Sequence, residues 1–181
     1  MASMQSLPEG YVIDRGQVRD TAVLVEVDKA ANELFATTGL LSEDALSEHV
    51  PAETLDAAGR SGRVIVARDA NEVAVGFALV TQRGGELYLD QISVHPDHGR
   101  KGLGAALMVA VFKETEQRKL KTVTLSTFRD LPWNAPFYAR LGFREIPRNK
   151  LAPWMLEIEA AQADKLDISR RCFMRRRVRW L

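Results

Sequence analysis

The chain has a single cysteine, Cys172, among its 181 residues, so it can form no internal disulfide. Low cysteine use suits a reducing compartment, and we therefore predict a cytoplasmic location. There is also no excess of charge of either sign, because 25 Lys and Arg stand against 24 Asp and Glu. Nucleic-acid-binding domains usually carry a basic excess, so this balance gives no reason to expect a nucleic-acid partner.

Long apolar runs are missing too. No stretch reaches the length of a membrane span, and the segment MASMQSLPEGY has no apolar run of the kind that a signal peptide needs. Repeats, linkers and low-complexity segments are also lacking, which favours a single compact domain over residues 1–181. We expect residues 1–10 to be disordered.

One segment does concentrate charge of one sign. Arginines crowd the run from Arg170 to Arg179, where they would alternate on a strand with Cys172, Met174 and Val178. Charged residues are a common protection of exposed sheet edges. This pattern therefore predicts a solvated edge strand rather than a binding patch.

The remaining periodicity alternates between strand and helix. Apolar alternation predicts strands, and apolar spacing of three and four predicts helices. The predicted strands are 11–15, 64–68, 73–81, 122–127 and 143–146, and the predicted helices are 18–35, one opening at 42, one ending near 118, 134–140 and 152–167. A strand, helix, strand connection of this length favours parallel pairing of its two strands.

The most informative segment is ISVHPDHGRKGLGAAL, from Ile92 to Leu107. A predicted strand over Leu87 to Val94 is broken by His95-Pro96-Asp97, and an apolar helix follows at Ala105 to Phe112. The turn between them contains three glycines, which permit a tight backbone path. They are Gly99, Gly102 and Gly104.

A helix that begins directly after such a turn is suited to an anion. Its first N–H groups have no acceptor within the helix, and its dipole is positive at that end. Arg100 and Lys101 add positive charge nearby. The segment therefore predicts a site for a pyrophosphate group.

Three types of phosphate-binding loop compete for this segment. A Walker loop is excluded because no Ser or Thr follows a Gly-Lys pair here. A dinucleotide fingerprint starting at Gly102 would need a glycine or alanine at position 107, which is Leu107. What remains is a pair of glycines separated by one residue and preceded by basic side chains.

The sequence VHPDHGRKGLGAALM resembles the pyrophosphate-binding motif of the GNAT acetyltransferases. A second match lies downstream, where FYARLGF at Phe137 to Phe143 resembles the family's FYxxxGF segment. The resemblance is close over residues 60–150. It implies an α/β GNAT fold, with a mixed central β-sheet flanked by helices and a pyrophosphate site formed by a strand, a glycine-rich turn and a helix.

The resemblance also implies acetyl-coenzyme A (acetyl-CoA) as cofactor, held mainly by backbone N–H groups, with the pantetheine arm against the motif strand. The chain departs from the family at two places: Gly99 and Arg100 stand as though exchanged, and Leu131 replaces a common Asn, whose contact Asn134 could take over. The cofactor-binding residues that the resemblance implies are Ile92, Ser93, Val94, Gly99, Arg100, Lys101, Gly102, Leu103, Gly104, Ala105, Asn134 and Phe137.

Tyr138 matches the family tyrosine that protonates the departing thiolate, and the alternative is that it only packs on the sheet. For the general base the motif strand offers Asp90, our first choice, and Glu86. Asp90 could equally be solvated or paired with an arginine. His95 and His98 lie on the pyrophosphate turn, too near the phosphates to be strong candidates.

The resemblance predicts an N-acetyltransferase that transfers acetyl directly to a primary amine, a small molecule or else a protein or peptide, in a ternary complex without a metal. Acceptor-pocket candidates on resemblance alone lie at the end of the first predicted helix: Glu33, Phe35, Thr37 and Thr38. An acyl-CoA sensing module that has lost turnover is the alternative from another class. A homodimer is a further expectation of the resemblance, and a membrane partner is not expected.

Overall fold

The computed structural model describes residues 7–178, and the expected disorder of residues 1–6 lies outside the described residues. Residues 8–11 form a turn in which the Tyr11 N–H donates to the Pro8 carbonyl at 3.3 Å. The described chain forms two compact units. The amino-terminal unit comprises residues 7–80 and 90–113, and the carboxy-terminal unit comprises residues 81–89 and 114–178.

Seven strands form one sheet with the order β1-β2-β3-β4-β5-β7-β6. Some pairs are antiparallel, as in β1 with β2 and β5 with β7, whereas β4 and β5 are parallel. The mixed sheet and its flanking helices confirm the predicted fold class. The strands are β1 (Val12–Arg15), β2 (Val64–Arg68), β3 (Ala74–Arg83), β4 (Glu86–Val94), β5 (Thr122–Phe128), β6 (Arg144–Glu145) and β7 (Arg171–Arg177).

In the part of the chain that the structure describes, six α-helices connect these strands, with short 3-10 turns between them. Within residues 7–178, no helix combines the length and apolar character needed to cross a membrane. The helices are α1 (Thr21–Asn32), α2 (Glu43–Ser47), α3 (Ala52–Arg60), α4 (Leu103–Gln117), α5 (Ala135–Arg140) and α6 (Pro153–Gln162).

The core of the amino-terminal unit forms where α1 and α3 meet β2 and β3. Leu24 and Val27, three residues apart, share one face of α1, and Leu55 lies on the buried face of α3. They pack with Val66 and Phe77, which are fully buried. Burial of such aliphatic and aromatic side chains is the main stabilising term for an element of this kind.

In the carboxy-terminal unit, a second cluster joins α6 to the strands. Met155 of α6 is fully buried and packs with Tyr88 of β4, Ile146 and Phe173 of β7. Trp154 meets Tyr88 edge to face at 5.6 Å between ring centroids. The helix predicted over 152–167 is therefore present as α6 and is packed against the strands.

Strand β7 differs from its predicted role. It pairs with β5 along its whole length and with β6 on its other side, so the prediction of an edge strand is wrong. The strand predicted over 143–146 is present as β6, but its pairing with β7 depends on tertiary structure, which local periodicity does not encode. Helix α3 was likewise not predicted, whereas the parallel pairing of β4 with β5 is confirmed.

Candidate functional site: a glycine-rich turn and a buried tyrosine

The glycine-rich turn in the amino-terminal unit has two residues with left-handed backbone. Gly102 has φ +82° and Arg100 has φ +59°, whereas Gly99 has an ordinary φ of −65°. Gly99 is required for space instead, because a Cβ there would lie 3.1 Å from the Pro96 carbonyl oxygen. The exchange seen in the sequence therefore places an arginine at a position that glycine adopts without strain.

Helix α4 begins at Leu103, immediately after this turn. Leu103 and Leu107 are buried and anchor the start of the helix in the core. The Ala106 N–H donates to the Gly102 carbonyl at 3.0 Å, which closes the first helical turn. The N–H groups of Leu103, Gly104 and Ala105 are those that a helix leaves without an acceptor of its own, so the geometry fits a pyrophosphate.

Side chains from the start of the chain hold this turn. The Tyr11 hydroxyl lies 2.8 Å from His98 Nδ1, and Lys101 Nζ donates to the same hydroxyl at 3.1 Å. Lys101 also lies over the Tyr11 ring at 5.6 Å from the centroid. Tyr11 thereby fixes the direction of one of the two cations that the sequence assigned to the anion. The Arg100 side chain is exposed.

Replacing Gly102 with Ala tests the turn. An alanine at φ +82° costs roughly 1–2 kcal/mol, and the strain falls on the N–H groups that start α4. We expect coenzyme A to bind about tenfold more weakly by calorimetry. Gly62→Ala is the matched control, since φ there is +66° and a Cβ would meet nothing within 4 Å. If Gly62→Ala weakened coenzyme A binding as much as Gly102→Ala, the turn would have no specific role in binding the anion.

The strand before the turn is β4. Ser93 is buried, Ile92 and Val94 are half-buried, and the His95 N–H donates to the Val75 carbonyl at 2.8 Å. Gly76 of β3 allows β3 and β4 to lie close together here, because a Cβ at position 76 would lie 3.1 Å from the Ser93 carbonyl oxygen. Binding of the cofactor by these backbone groups stays a prediction.

A buried carboxylate that the sequence analysis did not single out lies beside this strand. Asp28 of α1 is 1% exposed and accepts hydrogen bonds from Gln91 Nε2 at 2.7 Å, Ser93 Oγ at 2.6 Å and the Val50 N–H at 2.8 Å. The sequence contained one sign of this burial, because Asp28 directly follows Val27 and lies on the apolar face of α1. Asp90, the predicted base, is half-buried on the same strand and also has interaction partners.

The predicted acid, Tyr138, is buried in the carboxy-terminal unit on α5. Its ring meets Phe137 at 5.1 Å and Phe143 at 5.7 Å, both edge to face. Among the described residues we find no hydrogen-bond partner for its hydroxyl. Burial raises the pKa of the Tyr138 phenol far above its ordinary value of 10, while the nearby Arg171 guanidinium opposes that rise in pKa. The phenol is therefore protonated at neutral pH and can donate.

Asn134 caps the start of the same helix. Its side-chain oxygen accepts from the Thr127 hydroxyl at 2.7 Å, at the end of β5, and from the Phe128 N–H at 3.4 Å. This contact fixes the passage from β5 into α5, which carries Tyr138. A contact of Asn134 with the cofactor stays a prediction, as does that of Phe137.

Glu86, the second choice for the base, is engaged elsewhere. Its carboxylate pairs with Arg175 at 2.6 Å and 3.1 Å, and it accepts a hydrogen bond from the Thr124 hydroxyl. Both carboxylate oxygens of Glu86 are therefore already occupied by contacts within the sheet.

The four acceptor-pocket candidates lie in the turns after α1. Glu33 and Thr37 are exposed and Phe35 is half-buried. The Thr38 hydroxyl donates to the Phe35 carbonyl at 2.7 Å and accepts from the Leu40 N–H at 3.2 Å, which closes the turn. Thr38 therefore has a structural role already, and an acceptor contact of all four stays a prediction.

Comparison with known families matches residues 60–145 to the model described as the acetyltransferase (GNAT) domain. The chain is 28% identical over 142 residues to a mycothiol acetyltransferase of Clavibacter michiganensis subsp. michiganensis, covering 77% of this chain and 44% of that protein. It is 32% identical over 85 residues to an uncharacterized N-acetyltransferase, ycf52, of Porphyra purpurea, covering 46% of this chain and 47% of that protein. The chain thus spans about half the length of these curated relatives.

Among solved structures, the fold is similar to that of the PaiA N-acetyltransferase from Thermoplasma acidophilum in complex with coenzyme A. The TM-score is 0.71 at 16% identity, covering 92% of this chain and 98% of that one. At this identity the likeness concerns the fold alone. The matched domain contains the glycine-rich turn and the FYARLGF segment, both found in the sequence before the fold was known. The predicted resemblance to the GNAT acetyltransferases is thus confirmed over residues 60–145.

Proposed function

We propose that this protein transfers an acetyl group from acetyl-CoA directly to the primary amine of an acceptor. The observation that carries the proposal is the start of α4, where a turn with left-handed residues presents unpaired N–H groups to an anion. The acetyltransferase (GNAT) match over residues 60–145 supports the same activity. Acetyl-CoA supplies the thioester, and the chain's residues bind it and move protons.

The binding role belongs mainly to backbone groups. The N–H groups of Leu103, Gly104 and Ala105 receive the pyrophosphate, with Lys101 held by Tyr11 and Arg100 exposed beside the turn. The backbone of Ile92 to Val94 receives the pantetheine arm. This binding needs few specific side chains, which is why it tolerates the exchanged Gly99 and Arg100.

The reaction forms a bond between the amine nitrogen and the acetyl carbon and breaks the bond between that carbon and sulfur. Tyr138 donates its phenolic proton to the departing sulfur: burial keeps the phenol protonated at neutral pH, and among the described residues its hydroxyl has no other hydrogen-bond partner. Asp90 is the proposed base that takes a proton from the acceptor ammonium. Glu86 is a poor alternative because Arg175 holds it.

A small-molecule amine is the preferred acceptor class, and a protein or peptide amine is the alternative. Titration with acetyl-CoA by calorimetry, followed by thiol release over a panel of amines and peptides, tests the proposal. We expect binding and turnover. Binding without turnover on any acceptor would favour the acyl-CoA sensing module, and no binding at all would contradict the assignment of the turn.

A further inference from the structure

The carboxy-terminal unit contains a cavity of about 350 Å³ lined by residues of β5, β7, α6 and the connections near them. Three arginines line it, together with two glutamates. Arg129 pairs with Glu145 at 2.8 Å, and Arg148 forms two hydrogen bonds of 2.8 Å with Glu159. Both glutamates are therefore engaged, and the third arginine, Arg171, is left without an acidic partner in the lining.

Arg171 is also poorly satisfied by neutral groups. One of its terminal nitrogens donates to the Ser126 hydroxyl at 3.2 Å, and the guanidinium lies over the Phe128 ring at 4.6 Å. Its Nε is the one buried side-chain nitrogen or oxygen in residues 7–178 that lacks a hydrogen-bond partner. A buried charge without an opposite charge is strongly unfavourable, so such an arginine usually marks the place of an anion.

The neighbouring ionisable groups do not supply that negative charge. Burial raises the pKa of the Cys172 thiol to about 11, so it is neutral at pH 7. Burial also keeps the Tyr138 phenol protonated, and Tyr88 is a second phenol near the guanidinium. An external anion would therefore meet a half-buried cation that neither glutamate of the lining neutralises.

We propose that Arg171 binds a carboxylate of the acceptor, so that the acceptor is an amine of amino-acid size that carries a carboxylate. The cavity volume lies at the small end of the range for ligand sites, which fits an amino acid. The buried Nε–H and the terminal N–H groups can together donate to one carboxylate. Arg171 pairs with Phe128 at the end of β5, and the Phe128 N–H donates to Asn134 at the start of α5, the helix that carries the proposed acid. The inference rests on the proposed function, since it assigns the anion to the acceptor.

The test compares acceptors that differ only in the carboxylate: alanine with alaninamide, and phenylalanine with phenylalaninamide. We expect wild type to prefer each free acid by at least about tenfold in kcat/KM, because hydrogen bonds to charged groups have roughly this value. In Arg171→Gln the ratio of kcat/KM for the free acid to kcat/KM for the amide falls to about one, and the lost preference appears in KM. Arg170→Gln is the control, because Arg170 is exposed and pairs only loosely with Asp130 at 3.5 Å.

A second arm needs no turnover. N-acetylalanine and its amide are titrated calorimetrically into wild type and both variants, with coenzyme A titrated separately. Binding of the acid alone, lost in Arg171→Gln and kept in Arg170→Gln, supports the proposal even where no amine is acetylated. If wild type shows the same affinity and the same kcat/KM for acids and amides, the proposal is overturned. Coenzyme A binding, and hence the proposed function, would be left intact by that result. If Arg171→Gln does not fold, the proposal is tested with Arg171→Lys and with the preference of wild type for free acids over amides.

Discussion

Tyr138→Phe is expected to lower kcat for acetyl transfer about 100-fold or more, while the Kd for coenzyme A changes by less than about threefold. The substitution removes only the hydroxyl and keeps the ring contacts with Phe137 and Phe143. Because burial holds the pKa of the phenol far above 10, the proton is present at every pH at which the protein is assayed. The loss should therefore be similar from pH 6 to pH 9.

A change of leaving group separates acid catalysis from packing. An aryl thioester releases a thiolate of low basicity, which needs little help from an acid. With such a donor, the deficit of Tyr138→Phe in kcat/KM should shrink to a few-fold. Phe143→Leu is the matched control, because it disturbs the packing of the Tyr138 ring and keeps the hydroxyl. An unchanged kcat in Tyr138→Phe would leave Tyr138 with a packing role only.

The local part of the fold could be predicted because its signals are contiguous. Ser42 opens a helix with two acids in its first turn, and the structure shows its side chain accepting from the Ala45 N–H. The strand, turn and helix around Gly102 follow in the same way from residues next to one another. The neighbours of β7 could not be predicted, since pairing between strands that are distant in the chain depends on tertiary structure.

The residues of the candidate site also fall into two groups: those that a local sequence pattern predicts and those that only the tertiary structure brings together. The turn is recognisable from a dozen residues, whereas Asp28 lies 63 positions before Gln91 and is joined to it by tertiary structure. Arg171 was seen only as one member of an arginine-rich run. Its distinct character depends on the pairing of Arg129 and Arg148 with glutamates, which no local pattern encodes. Sequence therefore gives the cofactor class, and packing gives the clue to the acceptor.

The largest expected loss of stability comes from Arg68→Met. Arg68 donates to both carboxylate oxygens of Asp20, at 2.8 Å and 2.9 Å, and both side chains are only 7% exposed. Asp20 also accepts from the Gln17 N–H at 2.8 Å, so the pair fixes the entry into α1. Removing one partner of a buried pair leaves an uncompensated charge, and we expect a loss of about 3–5 kcal/mol in the free energy of unfolding.

A control variant and the pH dependence of the free energy of unfolding test whether the buried ion pair causes this loss. Arg60→Met removes an exposed partner of Asp56 at 4.0 Å and should cost at most about 0.5 kcal/mol. In wild type the pKa of Asp20 is lowered, mainly by its hydrogen bond to Arg68 acting against burial, which raises it. The pair therefore stabilises the fold above the unfolded pKa of about 4 and loses this effect as pH falls through the lowered folded pKa.

Without Arg68, the burial that raises the pKa of Asp20 is opposed only by the Gln17 N–H and by Arg19, so Asp20 is protonated at a higher pH in the variant than in wild type. The stability gap between wild type and Arg68→Met should then narrow from pH 7 to pH 3, measured by urea denaturation at each pH. Adding Asp20→Leu to Arg68→Met should recover part of the loss at pH 7, because it removes the unpaired charge. A gap that stays constant with pH would mean that Arg68 stabilises the unit through packing of its aliphatic stem rather than through the charge of Asp20.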